Sequence, residues 1–223
     1  MSDEGHKGGG LKNNRQIPSF AEEKLLAAQG YRLIAGVDEV GRGALMGPVV
    51  AAAVILPGDI KAHWQDRVRE SKQLRPAVRE LLFDGIIEMA ISVGIGITAS
   101  EVIDAQGIIR ATRLAMKSAV DQLVPEPQYL LIDYMLLPEV SLPQKGITDG
   151  DSLCFSIACA SIVAKVARDR LMVELDAVYP GYGLAEHKGY GTKEHLACLR
   201  RQGPCPIHRR SFRPVREMIC QER

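Results

Sequence analysis

The chain has 223 residues, 46% hydrophobic and 25% charged, the proportions of an ordinary globular protein with one main domain and a substantial core. No stretch approaches the roughly 20 apolar residues needed to span a bilayer, and the opening MSDEGHKGGGLKNNRQ has no signal-peptide core, so a cytoplasmic, membrane-free protein is expected. Formal net charge is only +1, and the five cysteines, Cys154, Cys159, Cys198, Cys205 and Cys220, are odd in number without C-x-x-C spacing, which argues against a disulfide framework or a zinc site.

In chain order, residues 1–17 are polar and Gly-rich, too poor in apolar groups to offset the entropy of ordering, and predict a disordered tail before a folded unit over 18–223. Ser19 with Glu22 has the pattern of a capping box opening a short helix that stops at Gly30. Residues 32–37 read as a strand, the turn-rich GRGALMGP follows, and the β-branched and Ala-rich run 49–56 suits a buried strand ended by Pro57 and Gly58. Pro76 near the start of a Glu/Leu/Ile-rich segment predicts a helix to about residue 90, and 91–98 alternates as a third strand. Helical segments fill 100–123 until Pro125 and Pro127, 129–133 is a short apolar strand, and a Pro/Gly-containing loop leads to a long helix from about 152 to 175. Its inward row would be Ile157, Ala160, Ser161, Ala164, Leu171 and Leu175, with small residues that let it sit close to a sheet. Thr192 is placed to cap another helix ending at Gly203, and the remainder is basic with Pro breaks. The elements predict a mixed sheet covered by helices, compatible with several α/β architectures.

Charge is unevenly spread. Residues 184–223 hold nine Lys/Arg against four Asp/Glu, while 31–183 hold 15 basic and 19 acidic residues. An acidic middle followed by a basic end suits a metal site beside a phosphate-binding surface, although a solvated basic helix would give the same count. The acids of interest fall where elements end: Asp38 and Glu39 after the first strand, Asp133 at the end of YLLID, and Asp151 before the long helix. Such ends are where α/β sheets gather active sites. Taken singly, each has a simpler reading, Asp151 as a helix N-cap and the others as turn or loop residues. Adjacent strand residues point to opposite faces, so Asp38 and Glu39 share a site only if the strand ends or bulges there. If all four acids converge, an oxygen-only cluster calls for Mg²⁺ or Mn²⁺, and two such ions would admit a phosphodiester and support its hydrolysis. Gly41-Arg42-Gly43 lacks the spacing of a nucleotide-binding glycine loop and reads instead as backbone brought close to a ligand.

Together, GVDEVGRGALMGPVV (36–50), SKQL (71–74), YLLID (129–133), GDSLCFSIACASIVAKVARDR (150–170), HKGYGT (187–192) and HRRSF (208–212) resemble the ordered motif series of bacterial ribonuclease HII over about residues 33–215. The resemblance implies a ribonuclease-H-like α/β fold, a mixed five-stranded sheet flanked by helices with a C-terminal helical extension. It also implies a monomeric, divalent-metal endonuclease that cuts the RNA strand of RNA/DNA hybrids and DNA duplexes at embedded ribonucleotides, leaving 5′-phosphate and 3′-hydroxyl ends. Asp38, Glu39, Asp133 and Asp151 match the family's four metal-binding acids, Gly41, Arg42 and Gly43 its ribonucleotide-reading loop, and Tyr190 the tyrosine that packs on the sugar at an RNA-to-DNA junction. From spacing alone Tyr190 reads equally as a core or loop tyrosine. Ser71, Lys72, Arg209 and Arg210 are candidate phosphate contacts, against the alternative that exposed basic residues are simply solvated. His187, His195 and His208 read as structural or phosphate-adjacent.

The sequence departs from the family where Asp149 replaces a frequent Lys, Glu70 a frequent Asp, and Tyr134 a frequent Gly. The alternatives are a ribonuclease HIII-like enzyme, disfavoured by the short N-terminus and the GRG loop, and a non-catalytic hybrid-binding module, disfavoured by the intact acids.

Overall fold

Two central strands with few polar side chains organise the sheet of this computed structural model, which describes residues 17–58, 60–69 and 71–221. β1 (Ile34–Val40) and β2 (Val49–Ile55) pair antiparallel, with Val37 opposite Ala53 and Asp38 opposite Ala52. Every residue of β2 is buried, as expected for a strand covered on both faces by β-branched and small side chains. β3 (Ser92–Thr98) pairs antiparallel with β2, while β4 (Tyr129–Asp133) and β5 (Gln144–Ile147) continue in parallel on the far side of β1. The order β3-β2-β1-β4-β5 is the mixed five-stranded sheet that the family resemblance implies.

Two apolar layers hold it. On one face α4 (Ile108–Val120) packs Ala111, Ala115, Met116 and Ala119 on Val37, Ala51, Ala53 and Ile132. On the other α6 (Phe155–Val178) packs Ala160, Val163 and Ala164 with Ala52, Val54 and the Leu82 and Ile86 of α2 (Pro76–Met89). Gly36 marks the crossing of α6 over β1, since a Cβ there would lie 2.1 Å from the Ser156 carbonyl carbon. Shorter helices complete the shell: α1 (Ala21–Ala28), α3 (Ser100–Gln106), α5 (Gly150–Leu153), α7 (Leu184–His187), α8 (Lys193–Gln202) and α9 (Arg213–Gln221). Among the described residues no helix is long and apolar enough to cross a membrane, and the cysteines are all free.

Several local expectations are corrected. The capping box at Ser19 and Glu22 is not made: Phe20 precedes α1, Ser19 forms a bridge with Cys154, and Glu22 pairs with Lys145 at 2.8 Å. β1 runs on to Val40, so Asp38 and Glu39 lie inside it. The long helix is broken at Cys154, whose backbone is extended, and Asp151 therefore sits in the first turn of α5 and is not an N-cap. In the inward row of α6 Met172 is buried, whereas Leu171 and Leu175 are half-buried. Thr192 does cap α8, its hydroxyl accepting from the His195 amide at 3.2 Å, and Gly203 stops it with φ +71. Of the tail expected at 1–17, residues 1–16 lie outside the described residues, as does Glu70.

Candidate active site

The pairing of parallel β1 and β4 ends with Val37 opposite Ile132, and acids follow on both strands. Asp38 and Asp133 fall on the α6 side of the sheet by alternation from Val37 and Ile132, which face α4. Glu39 belongs by alternation to the other face, yet one carboxylate oxygen from each of Asp38, Glu39 and Asp133 lies within 4.8 Å of the others. β1 neither ends nor bulges to allow this. The strand beside it, β4, gives up the pairing, and the Glu39 side chain reaches round the open end. Asp133 Oδ1 accepts the Gly150 amide at 2.8 Å, tying β4 to the start of α5. Asp151 lines the same cleft, of about 490 Å³, outside the three-oxygen group.

Electrostatically the acids are under stress. Burial, then the charges of Glu39 and Asp133, push the Asp38 carboxyl well above its ordinary value, against hydrogen bonds from the Ser161 hydroxyl and from the Glu39 amide at 2.7 Å. Burial also raises Glu39, although Arg42 Nη1 stands 3.3 Å from its Oε1, and raises Asp133 against the Gly150 bond. Among the described residues Glu39 Oε2 is buried with no hydrogen-bond partner. Crowded acids with an orphaned oxygen are costly without a cation. An all-oxygen donor set of this charge fits a hard divalent ion.

The glycine loop divides into a packed and an open half. Gly41 has φ +92, and a Cβ there would lie 2.2 Å from Arg168 Nε, so both its conformation and its neighbour require glycine. Gly43 is exposed, with nothing within 4 Å of a Cβ built on it. Tyr190 lines the cleft, its ring 5.5 Å from the Arg168 guanidinium carbon. Lys72 is exposed at the rim in a short 3₁₀ turn. Ser71 also lines the cleft, but it is buried and its hydroxyl lies 2.9 Å from that of Ser161, so it acts on Asp38 through Ser161.

Two expected phosphate contacts are not brought to the cleft. Arg209 is 0% exposed, with Nε donating to the Gly47 carbonyl at 3.0 Å and Nη1 to the Arg42 carbonyl at 2.8 Å; it supports the loop from beneath. Arg210 is exposed outside the lining, its amide donating to Asp104 at 2.8 Å. Conversely, Lys165 lines the cleft with Nζ 2.7 Å from Asp169, and sequence reasoning passed over it. Its spacing of four from Ser161 on a row of small residues was the available signal. Arg168, fully buried under Gly41, had no such signal, since an arginine late in a helix ordinarily reads as solvated. The departure at Tyr134 has a backbone reason: φ is +61 there, a conformation that glycine adopts without strain, and Asp149 is similarly left-handed at φ +55.

The profile of the family Ribonuclease HII matches residues 35–215. Ribonuclease HII of Dehalococcoides mccartyi is 60% identical over 202 residues, 91% of this chain and 95% of that protein. Ribonuclease HII of Geotalea uraniireducens is 51% identical over 206 residues, covering 92% and 94%. Among solved structures, ribonuclease H2 from Pyrococcus horikoshii OT3 superposes with TM-score 0.71 at 25% identity, over 84% of this chain and 97% of that one. Bst-RNase HIII in complex with Mn²⁺ shares the fold at TM-score 0.60 and 19% identity, over 89% and 74%.

Proposed function

Because the chain belongs to the ribonuclease HII family and is a metal-dependent endonuclease acting on RNA/DNA hybrids, we propose that Asp38, Glu39, Asp133 and Asp151 are its metal-binding catalytic acids and that it also cuts DNA duplexes at single embedded ribonucleotides. The observation that carries this reading is the convergence of three carboxylates, one of which, Glu39, has an oxygen buried without a hydrogen-bond partner among the described residues. The acids would hold Mg²⁺ or Mn²⁺, as the Mn²⁺ complex of the Bst enzyme suggests. A divalent cation there supplies Lewis acidity for the attack of water on phosphorus, giving 5′-phosphate and 3′-hydroxyl ends.

The remaining roles belong to the chain. Lys72 offers positive charge to the scissile strand at the rim of the cleft, and Lys165, mostly buried and paired with Asp169, lines it deeper in. The open backbone at Gly43 can approach a 2′-hydroxyl, which both donates and accepts hydrogen bonds, and Arg42 next to it is held by Glu39. The Tyr190 ring packs on the adjoining deoxyribose, where an extra 2′-oxygen would crowd it. The reading takes residues from 18 onward as one catalytic unit that works as a monomer.

One set of labelled duplexes tests it: a continuous hybrid, a DNA duplex with one ribonucleotide, and an all-DNA duplex, each with Mg²⁺, Mn²⁺ or chelator. The first two should be cut only with a divalent ion, and all-DNA should be slower by about 10⁴-fold or more because the loop's polar groups go unpaired. Comparable cutting of all-DNA overturns the loop assignment. On the single-ribonucleotide duplex Tyr190→Ala should lose roughly five- to 150-fold in kcat/KM and Tyr190→Phe much less; equal losses would assign the role to the hydroxyl.

A further inference from the structure

Behind Tyr190 stand three histidines that the proposed chemistry does not use. The His187 ring stacks on His195 at 4.4 Å and 9°. His195 Nε2 lies 3.2 Å from His208 Nε2, and the two residues are 0% and 1% exposed. At one end of this pair His195 Nδ1 is 2.9 Å from the Tyr190 carbonyl oxygen; at the other His208 Nδ1 accepts the Cys205 amide at 3.0 Å.

The partners fix every proton. A carbonyl only accepts, so His195 carries hydrogen on Nδ1 and, when neutral, has a bare Nε2. His208 must then donate from Nε2, leaving its own Nδ1 bare, which is what the Cys205 amide requires. His187 obeys the same logic: Nε2 faces the Tyr182 carbonyl at 2.6 Å, and Nδ1 accepts the Gly189 amide at 3.1 Å. All these bonds agree on one neutral set. Burial and the neighbouring imidazoles keep the inner pair neutral, with His208 pushed down to about 4 and His195 lowered.

The chain of bonds also spans the cleft's supports. Gly47 donates to the Ile207 carbonyl at 2.9 Å and Arg209 to the Leu45 carbonyl at 2.8 Å, so His208 is clamped to the segment that continues from the glycine loop. We infer that His195 is a positioning residue: its Nδ1–H fixes the Tyr190 carbonyl, and the His208 Nε2–H holds the imidazole in the tautomer able to donate there. The Tyr190 carbonyl also accepts from the Thr192 amide at 2.8 Å, so losing the imidazole displaces the residue without releasing it. This inference rests on the reading that Tyr190 contacts substrate.

Isosteric substitutions separate positioning from packing. His195→Asn keeps a donor where Nδ1 stands; His195→Gln places its amide near Nε2 and leaves the carbonyl unserved. On the single-ribonucleotide duplex Gln should lose roughly three- to tenfold in kcat/KM, the value of one hydrogen bond, and Asn less than about twofold. In a Tyr190→Ala background Gln should add nothing. Equal losses for Asn and Gln, or a full Gln loss added to Tyr190→Ala, overturn the inference while leaving Tyr190 in the site. An unaffected Tyr190→Ala enzyme instead removes Tyr190, and the inference with it. Imidazole ¹⁵N spectra of the unsubstituted protein near neutral pH provide a check independent of activity and of variant folding: His195 should be the Nδ1–H tautomer and His187 and His208 the Nε2–H tautomers, and a reversed or charged His195 refutes the relay.

Discussion

At one end of the cleft Asp38, Glu39 and Asp133 crowd three carboxylates together and leave one oxygen buried without a partner among the described residues. A few residues away, beneath the glycine loop, Arg168 and Arg209 are buried just as deeply, and among the described residues neither forms an ion pair. Arg168 donates to the carbonyls of Pro48, Lys188 and Met46 at 3.0, 2.9 and 3.4 Å, and Arg209 to those of Gly47 and Arg42. Both regions hold like charges out of water, and Arg168 opposes the charge of Arg209 as the acids oppose one another, but the arginines also satisfy backbone that would otherwise be orphaned, with only Arg209 Nη2 left without a partner among the described residues of that pair. An acid here should therefore be dispensable for folding and needed for chemistry; an arginine should be needed for folding.

The largest effect expected is on the acid side. Asp133→Asn keeps an oxygen able to accept the Gly150 amide but loses the charge, and turnover should fall by at least about 10²-fold with either Mg²⁺ or Mn²⁺. Metal-free melting should hold or rise. Near-normal turnover would remove Asp133 from the site, and a sharp loss of melting temperature would break the contrast between the regions.

The arginine side should answer in the opposite way. Arg168→Met leaves three carbonyls unserved and should cost roughly 3 to 5 kcal/mol, a drop in melting temperature on the order of 10 °C for a chain of this size. Melting within about 2 °C of the parent would show that the arginine is not the support described.

A pH series sharpens the acid side. The folded Asp38 carboxyl is raised by burial and by Glu39 and Asp133. A raised carboxyl stabilises the fold below its unfolded value, about 3.9, and that contribution is lost as pH rises through the folded value. Metal-free Asp38→Asn should therefore gain over the parent as pH climbs from acid to neutral. The depressed His195 and His208 act with opposite sign, stabilising above about 6.5 and failing as pH falls, but both proteins contain them and the difference cancels their effect. Saturating Mg²⁺ should raise the parent's melting temperature more than the variant's; a pH-independent difference would count against a stressed acid cluster.

The smallest effect on stability should lie within the glycine loop. Gly43→Ala has free space and should melt like the parent, while Gly41→Ala must displace Arg168 and adopt a strained φ. Both should impair cutting at a ribonucleotide, Gly43→Ala without any change in melting. Equal melting losses would show that the loop is packed along its whole length.

Much of this was legible in the sequence because local rules had no competitor. The run 49–56 had to be a buried strand, Thr192 and Gly203 bracket α8, and YLLID ends on its acid. β5 escaped because QKGI is short and polar, with only Ile147 buried, and the break at Cys154 escaped because the helical pattern continues across it. Among site residues, Arg209 carried the right chemistry for phosphate but packing turned it inward, and Ser71 lines the cleft with its hydroxyl engaged by Ser161.

By itself the sequence determined the elements, the ordered motifs and hence the family, because side-chain period, turn chemistry and residue identity are local properties of the chain. Only the tertiary structure decided how Glu39 joins Asp38 and Asp133 without a bulge, since that depends on β4 ending its pairing with β1 at Ile132. It also decided that two arginines and two histidines lie buried behind the cleft, because burial is set by elements far apart in sequence and no spacing within one segment encodes it.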